Sequence, residues 1–98
     1  MKFMVSWSVD QDRWPAILEK WGSMSPAERA DVGDGVTMIG RWHDLVSRTG
    51  VLIIEATDTA PVTTYLGNWN PHMDIDVVPV LDDEESAEVA RQIVANQA

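Results

Sequence analysis

The sequence predicts an α+β fold, on three observations. Stretches that alternate apolar and polar residues with period two recur along the chain. Between them lie stretches whose apolar residues fall at i, i+3, i+4 and i+7, the spacing of one helix face. A short polar turn, "LVSRTG", joins two of the alternating stretches into an antiparallel hairpin.

The first strand covers residues 2–9. Phe3, Val5, Trp7 and Val9 fall on one side, and Met4, Ser6 and Ser8 on the other. "DQDRWPAILEKWG" reads as a helix capped by Asp10 or Asp12, with Pro15 in its first turn and Gly22 at its end. Trp14, Ile17, Leu18 and Trp21 make its apolar face. "SPAE" is a capping box: Ser25 caps, Pro26 starts and Glu28 answers, giving a short helix over about 26–31. "VGDG" turns the chain into the hairpin strands, 36–43 and 51–56. Asp58 caps the next helix, where Val62, Tyr65, Leu66 and Trp69 share a face, and "NWNP" closes it. A fourth strand over 73–80 follows. Asp82 and Glu85 then form a second capping box, opening a terminal helix with Val89, Ala90, Ile93 and Val94 on its apolar side. The order βαββαβ with a C-terminal helix is the ferredoxin-like pattern. The 98 residues suit a single domain, 1–98.

Charge and composition narrow the function. Sixteen acids against seven bases give a net charge of −9, with five acids in "LDDEESAE" alone. Such a chain opposes phosphate backbones, so no nucleic-acid partner is expected. An anionic membrane surface is opposed for the same reason. There is no cysteine, which excludes disulfides, thiolate metal sites and cysteine nucleophiles. "MKFMVSWSVD" turns polar too soon for a signal peptide, and no apolar run reaches spanning length, so a cytoplasmic place is expected.

Strict alternation sorts the strand residues into two faces. One collects Phe3, Val5, Trp7, Val36, Met38, Gly40, Trp42, Leu52, Ile54, Ile75 and Val77. The other collects Met4, Ser6, Ser8, Thr37, Ile39, Arg41, His43, Val51, Ile53 and Glu55. Two helices cover only one face of a four-stranded sheet. The second face keeps apolar residues, which predicts an interface and hence a homodimer through the sheet faces.

"MKFMVSWSV", "GRWHD", "EATD" and "VVPVLDDEE", in this order, resemble a bacterial family of domains of unknown function within the dimeric α/β-barrel superfamily. The resemblance spans nearly the whole chain. It implies a ferredoxin-like subunit and a two-sheet barrel dimer, and no established activity. The wider superfamily holds cofactor-free monooxygenases of the antibiotic-biosynthesis type, muconolactone-isomerase-like enzymes, haem-degrading and haem-binding members, and stress-response proteins. In many the site lies between the sheet and its own helices. The haem-degrading members combine asparagine, tryptophan and histidine around haem. This chain has Trp42, Trp69, His43 and His72, but Ser6 and Ser8 stand where such an asparagine would be wanted.

The candidate residues follow. His43 is the candidate general base, and alternation places it with Arg41 and Glu55. The plainer reading of these three is an Arg41–Glu55 ion pair at an interface edge. Asp44 adjoins His43 but points to the opposite face. His72 reads as a loop residue and no metal site is expected, two lone histidines being a poor ligand set. Asp74 and Asp76 read as a solvent-facing edge. Trp7, Trp42, Tyr65 and Trp69 are the candidate ligand-binding residues, with Asn68 and Asn70 as polar handles. The expectation is a small homodimer that needs no cofactor and binds a small, aromatic or polyketide-like molecule, or serves an accessory or structural role. The alternatives are a cofactor-independent monooxygenase or isomerase using His43, and, behind it, a haem-binding protein.

Overall fold

The elements run β1 (Lys2–Ser8), α1 (Trp14–Ser23), α2 (Pro26–Ala30), β2 (Val36–Asp44), β3 (Thr49–Ala56), α3 (Thr59–Gly67), β4 (Asp74–Val80) and α4 (Asp83–Gln97) in the computed structural model, which describes residues 1–97. The strands form one antiparallel sheet in the order β2-β3-β1-β4. β1 and β2 therefore run parallel with β3 between them. Among the described residues, no helix is long and apolar enough to cross a membrane.

The capping signals form as the sequence spacing requires. Ser25 Oγ accepts from the Glu28 amide at 3.1 Å, and Glu28 Oε1 accepts from the Ser25 amide at 2.8 Å. Asp82 and Glu85 exchange the same pair of bonds, at 2.8 and 3.1 Å. Asp58 Oδ1 accepts from the Thr59 amide at 2.7 Å. α1 is the exception. Its N-cap is Arg13, which makes no side-chain cap bond, and neither Asp10 nor Asp12 serves. The Asp10 carbonyl instead accepts from the Arg13 amide in a turn that leads into the helix. Nor does Gly22 end it, since the helix continues through Ser23.

One sheet face carries the core. Phe3, Val5, Leu52, Ile54 and Ala56 pack against Val62 and Leu66 of α3, with Ile54 fully enclosed. Each of these side chains larger than alanine stabilises the fold by about 1.5–3 kcal/mol when fully buried. Trp7, Met38, Tyr65 and Ile75 flank this cluster.

A β-bulge in β2 overturns the alternation expected there. Met38 opposes Ile54, yet Gly40 opposes Ile53, so one extra residue enters β2 between them. Beyond the bulge every side chain changes face. Arg41 now pairs with Leu52 on the core face, and His43 pairs with Gly50, the neighbour of Trp7. Gly40 and Trp42 turn to the open face, where Trp42 is 60% exposed. The expected company of Arg41, His43 and Glu55 on one face is therefore corrected. Glu55 pairs instead with Lys2, whose Nζ lies 3.5 Å from its carboxylate.

Three helices stay off the core. α1, α2 and α4 bury none of their residues. Lys2 fastens the start of α4 through Asp82 at 3.1 Å and Glu85 at 3.6 Å. The molecule measures 56 × 28 × 20 Å with a radius of gyration of 16.3 Å. A compact domain of this length has about 13 Å. On α4, Val89, Ile93 and Val94 stay exposed to solvent.

Candidate functional site

The gap between α1 and the core face of the sheet is a cavity of about 80 Å³. A single water needs roughly 10–15 Å³ of such space, so there is room for a small organic group. Val5, Trp7, Leu52 and Ile75 form its floor, and α1 closes the far side with Trp14, Ile17, Leu18 and Trp21. Tyr65 and Leu66 of α3 and Trp69 in the following turn make the end wall.

Local sequence explains how this wall is assembled. The i, i+3, i+4, i+7 face of α1 points its apolar residues at the sheet, and their bulk props the helix away from it. Arg13 at the entry to α1 donates from Nη1 to the Pro71 carbonyl, tying that helix to the turn after α3. The bulge delivers Arg41 and His43 into the same space.

The aromatic rings touch in sequence. The His43 ring stands edge-on to Trp7 at 5.5 Å between centroids and tilted against Trp21 at 4.9 Å. Trp21 in turn meets Trp69 edge-on at 6.4 Å. The Arg41 guanidinium lies 5.0 Å from the centre of the Trp21 ring, a cation–π contact. Its Nη1 donates to the Arg29 carbonyl at 2.9 Å and its Nη2 to the Tyr65 hydroxyl at 3.2 Å. Tyr65 accepts there, which leaves its own proton to donate elsewhere.

His43 lines the cavity and is exposed to solvent. Burial, and then the positive charge of Arg41, hold its imidazole below the ordinary range. The neutral form, with one ring nitrogen free to accept a proton, is thereby favoured.

Of the residues singled out in the sequence, Trp7, Tyr65, Trp69 and His43 line the cavity together. Trp42 does not: the bulge sends it to the other face of the sheet, where its indole covers Gly40. Arg41 joins the wall rather than an ion pair with Glu55. Asn68 faces a separate surface depression beside Asp31, Asp34 and Thr64. Asp74 and Asp76 lie exposed on the edge strand β4. Trp14 and Trp21 are the wall residues that sequence reasoning missed. Their helix-face spacing is the available signal.

Residues 1–94 match the family model described as a domain of unknown function, DUF3303. No curated protein matches the chain.

Proposed function

The chain belongs to the DUF3303 family, and we propose that it binds a small, flat organic molecule in the cavity between its sheet and α1, working as one subunit of a homodimer. The observation that carries this reading is the convergence of Trp7, Trp14, Trp21 and Trp69 on one cavity. Tryptophans that merely fill a core leave no such space. Those that face each other across a gap offer flat apolar walls with N–H groups at their edges.

The subunit is read as ferredoxin-like, half of a dimeric α/β barrel. The strand order β2-β3-β1-β4, with parallel β1 and β2 split by β3, supports it. The open sheet face exposes Met4, Ile39, Trp42 and Val78, and α4 carries a further uncovered apolar stripe. A second copy would cover both.

A second reading, a cofactor-independent monooxygenase or isomerase, draws on His43. An imidazole held towards its neutral form, between two tryptophan rings of the cavity wall, suits a general base. On this reading His43→Ala keeps ligand binding and loses turnover.

The binding reading is tested by a thermal-shift screen of small aromatic compounds, repeated on Trp21→Ala. Binding at one hundred times Kd stabilises by about 2.7 kcal/mol. Hits that vanish in the variant support it, and a screen without hits at millimolar concentration overturns it. Sedimentation at micromolar concentration tests the dimer, which a monomer alone would refute.

A further inference from the structure

We infer that the cavity selects anions: its ligand is a flat aromatic molecule bearing one carboxylate, phenolate or enolate, held at the Arg41–Tyr65 end. This rests on the binding reading above and adds the charge of the ligand.

The chain carries sixteen acids and seven bases, so a cation has many possible carboxylate partners. Lys2 has three, Glu55, Asp82 and Glu85. Arg91 has Glu88. Arg41, like Arg13, Lys20, Arg29 and Arg48, has no carboxylate within ion-pair distance among the described residues. What sets Arg41 apart is that it alone of these lines the cavity. No aspartate or glutamate lines the cavity either. Arg41 is the one permanently charged side chain in the wall.

A half-buried guanidinium without a counter-ion is costly to keep. Arg41 is nevertheless fixed in place. The Arg29 carbonyl takes Nη1, the Tyr65 hydroxyl takes Nη2, and Trp21 covers one face of the group. Two bonds leave three of its five N–H donors uncommitted. The Tyr65 hydroxyl, accepting from Arg41, is polarised to donate its own proton. Both residues line the cavity beside its apolar walls. An oxyanion there receives charge-assisted bonds, and the attached ring lies between the tryptophans. A cation at that end meets the positive charge of Arg41 and is repelled.

The experiment uses the whole chain and three probes of one shape, 2-naphthoate, 2-naphthamide and 2-naphthylmethylammonium, followed by tryptophan fluorescence at pH 7.5. Naphthoate is expected to bind about tenfold tighter than the amide or better, in line with the strength of hydrogen bonds to charged groups. The ammonium compound is expected to bind weakest. In Arg41→Gln the preference for naphthoate over the amide disappears, and Arg41→Lys retains part of it. Because the charge series is run on the unaltered protein, a poorly folding variant does not remove the test. Equal or tighter binding of the amide or the ammonium probe overturns the anion inference and leaves the binding reading standing. Failure of all three to bind overturns both.

Discussion

The indole of Trp7 lies across Gly50, its partner on β3, so closely that a β-carbon at Gly50 would stand 2.0 Å from Trp7 Cζ2. The absence of a side chain on β3 is what lets an indole lie flat as the floor of the cavity. Gly50→Ala is therefore expected to push Trp7 off its seat. The cost of such overpacking is about 1–3 kcal/mol. Urea unfolding followed by far-ultraviolet dichroism measures it. A loss of aromatic-probe affinity should accompany the loss in stability, since Trp7 also touches His43.

The same geometry recurs on the other face with the opposite consequence. A β-carbon at Gly40 would stand 2.3 Å from Cη2 of Trp42. Trp42 is largely exposed, so its ring can swing into solvent. Gly40→Ala and Trp42→Ala should each change subunit stability by less than about 0.5 kcal/mol. Each should raise the dissociation constant of the proposed dimer, read by sedimentation equilibrium across a dilution series. An unaltered constant in Trp42→Ala would place the interface away from this face.

Period two, helix-face spacing and the capping boxes at Ser25 and Asp82 are local signals, and they reported the order of strands and helices with ends off by a few residues at most, as at the starts of α1 and β3. The face of Arg41, Trp42 and His43 was not legible by alternation, because one inserted residue reverses every later position. A trace of it was present. An isolated glycine inside a strand, as at Gly40, marks a bulge or a close approach of another group, and here it accompanies both. The cavity was half legible. Trp7, Tyr65 and Trp69 could be suspected by type. How α1 stands against the sheet depends on how Trp21 meets His43 and Trp69 across the gap, which one helix's own periodicity does not contain.

α3 holds the end wall, and its start rests on one carboxylate. Asp58 Oδ1 accepts from the amides of Thr59 at 2.7 Å and Ala60 at 3.4 Å. Val62 and Leu66 then enter the core, and Tyr65 follows into the cavity. Asp58→Ala should cost about 1 kcal/mol through the lost cap, with Asp58→Asn or Asp58→Ser recovering most of it. Thermal unfolding of the three variants side by side checks this. A negligible loss in the alanine variant would mean that packing alone holds the helix start.

His43 should make stability depend on pH in a definite direction. Its folded-state pKa is depressed, by burial first and by Arg41 second. Between that lowered value and the ordinary 6.5, the unfolded chain binds more protons than the folded one. Stability therefore rises with pH through this window, is fully present above 6.5, and is lost as pH falls through the folded value. Urea unfolding at intervals from pH 7.5 to pH 5 should show a steeper acid loss in the wild type than in His43→Gln. Arg41→Gln removes only the lesser cause, so the imidazole resonances should still titrate below 6.5 in that variant. Saturation with 2-naphthoate places a negative charge near the ring and should move its titration upward. A His43 that titrates at 6.5 or above in the free protein would mean that its ring is hydrated, and the pH difference between wild type and His43→Gln would vanish with it.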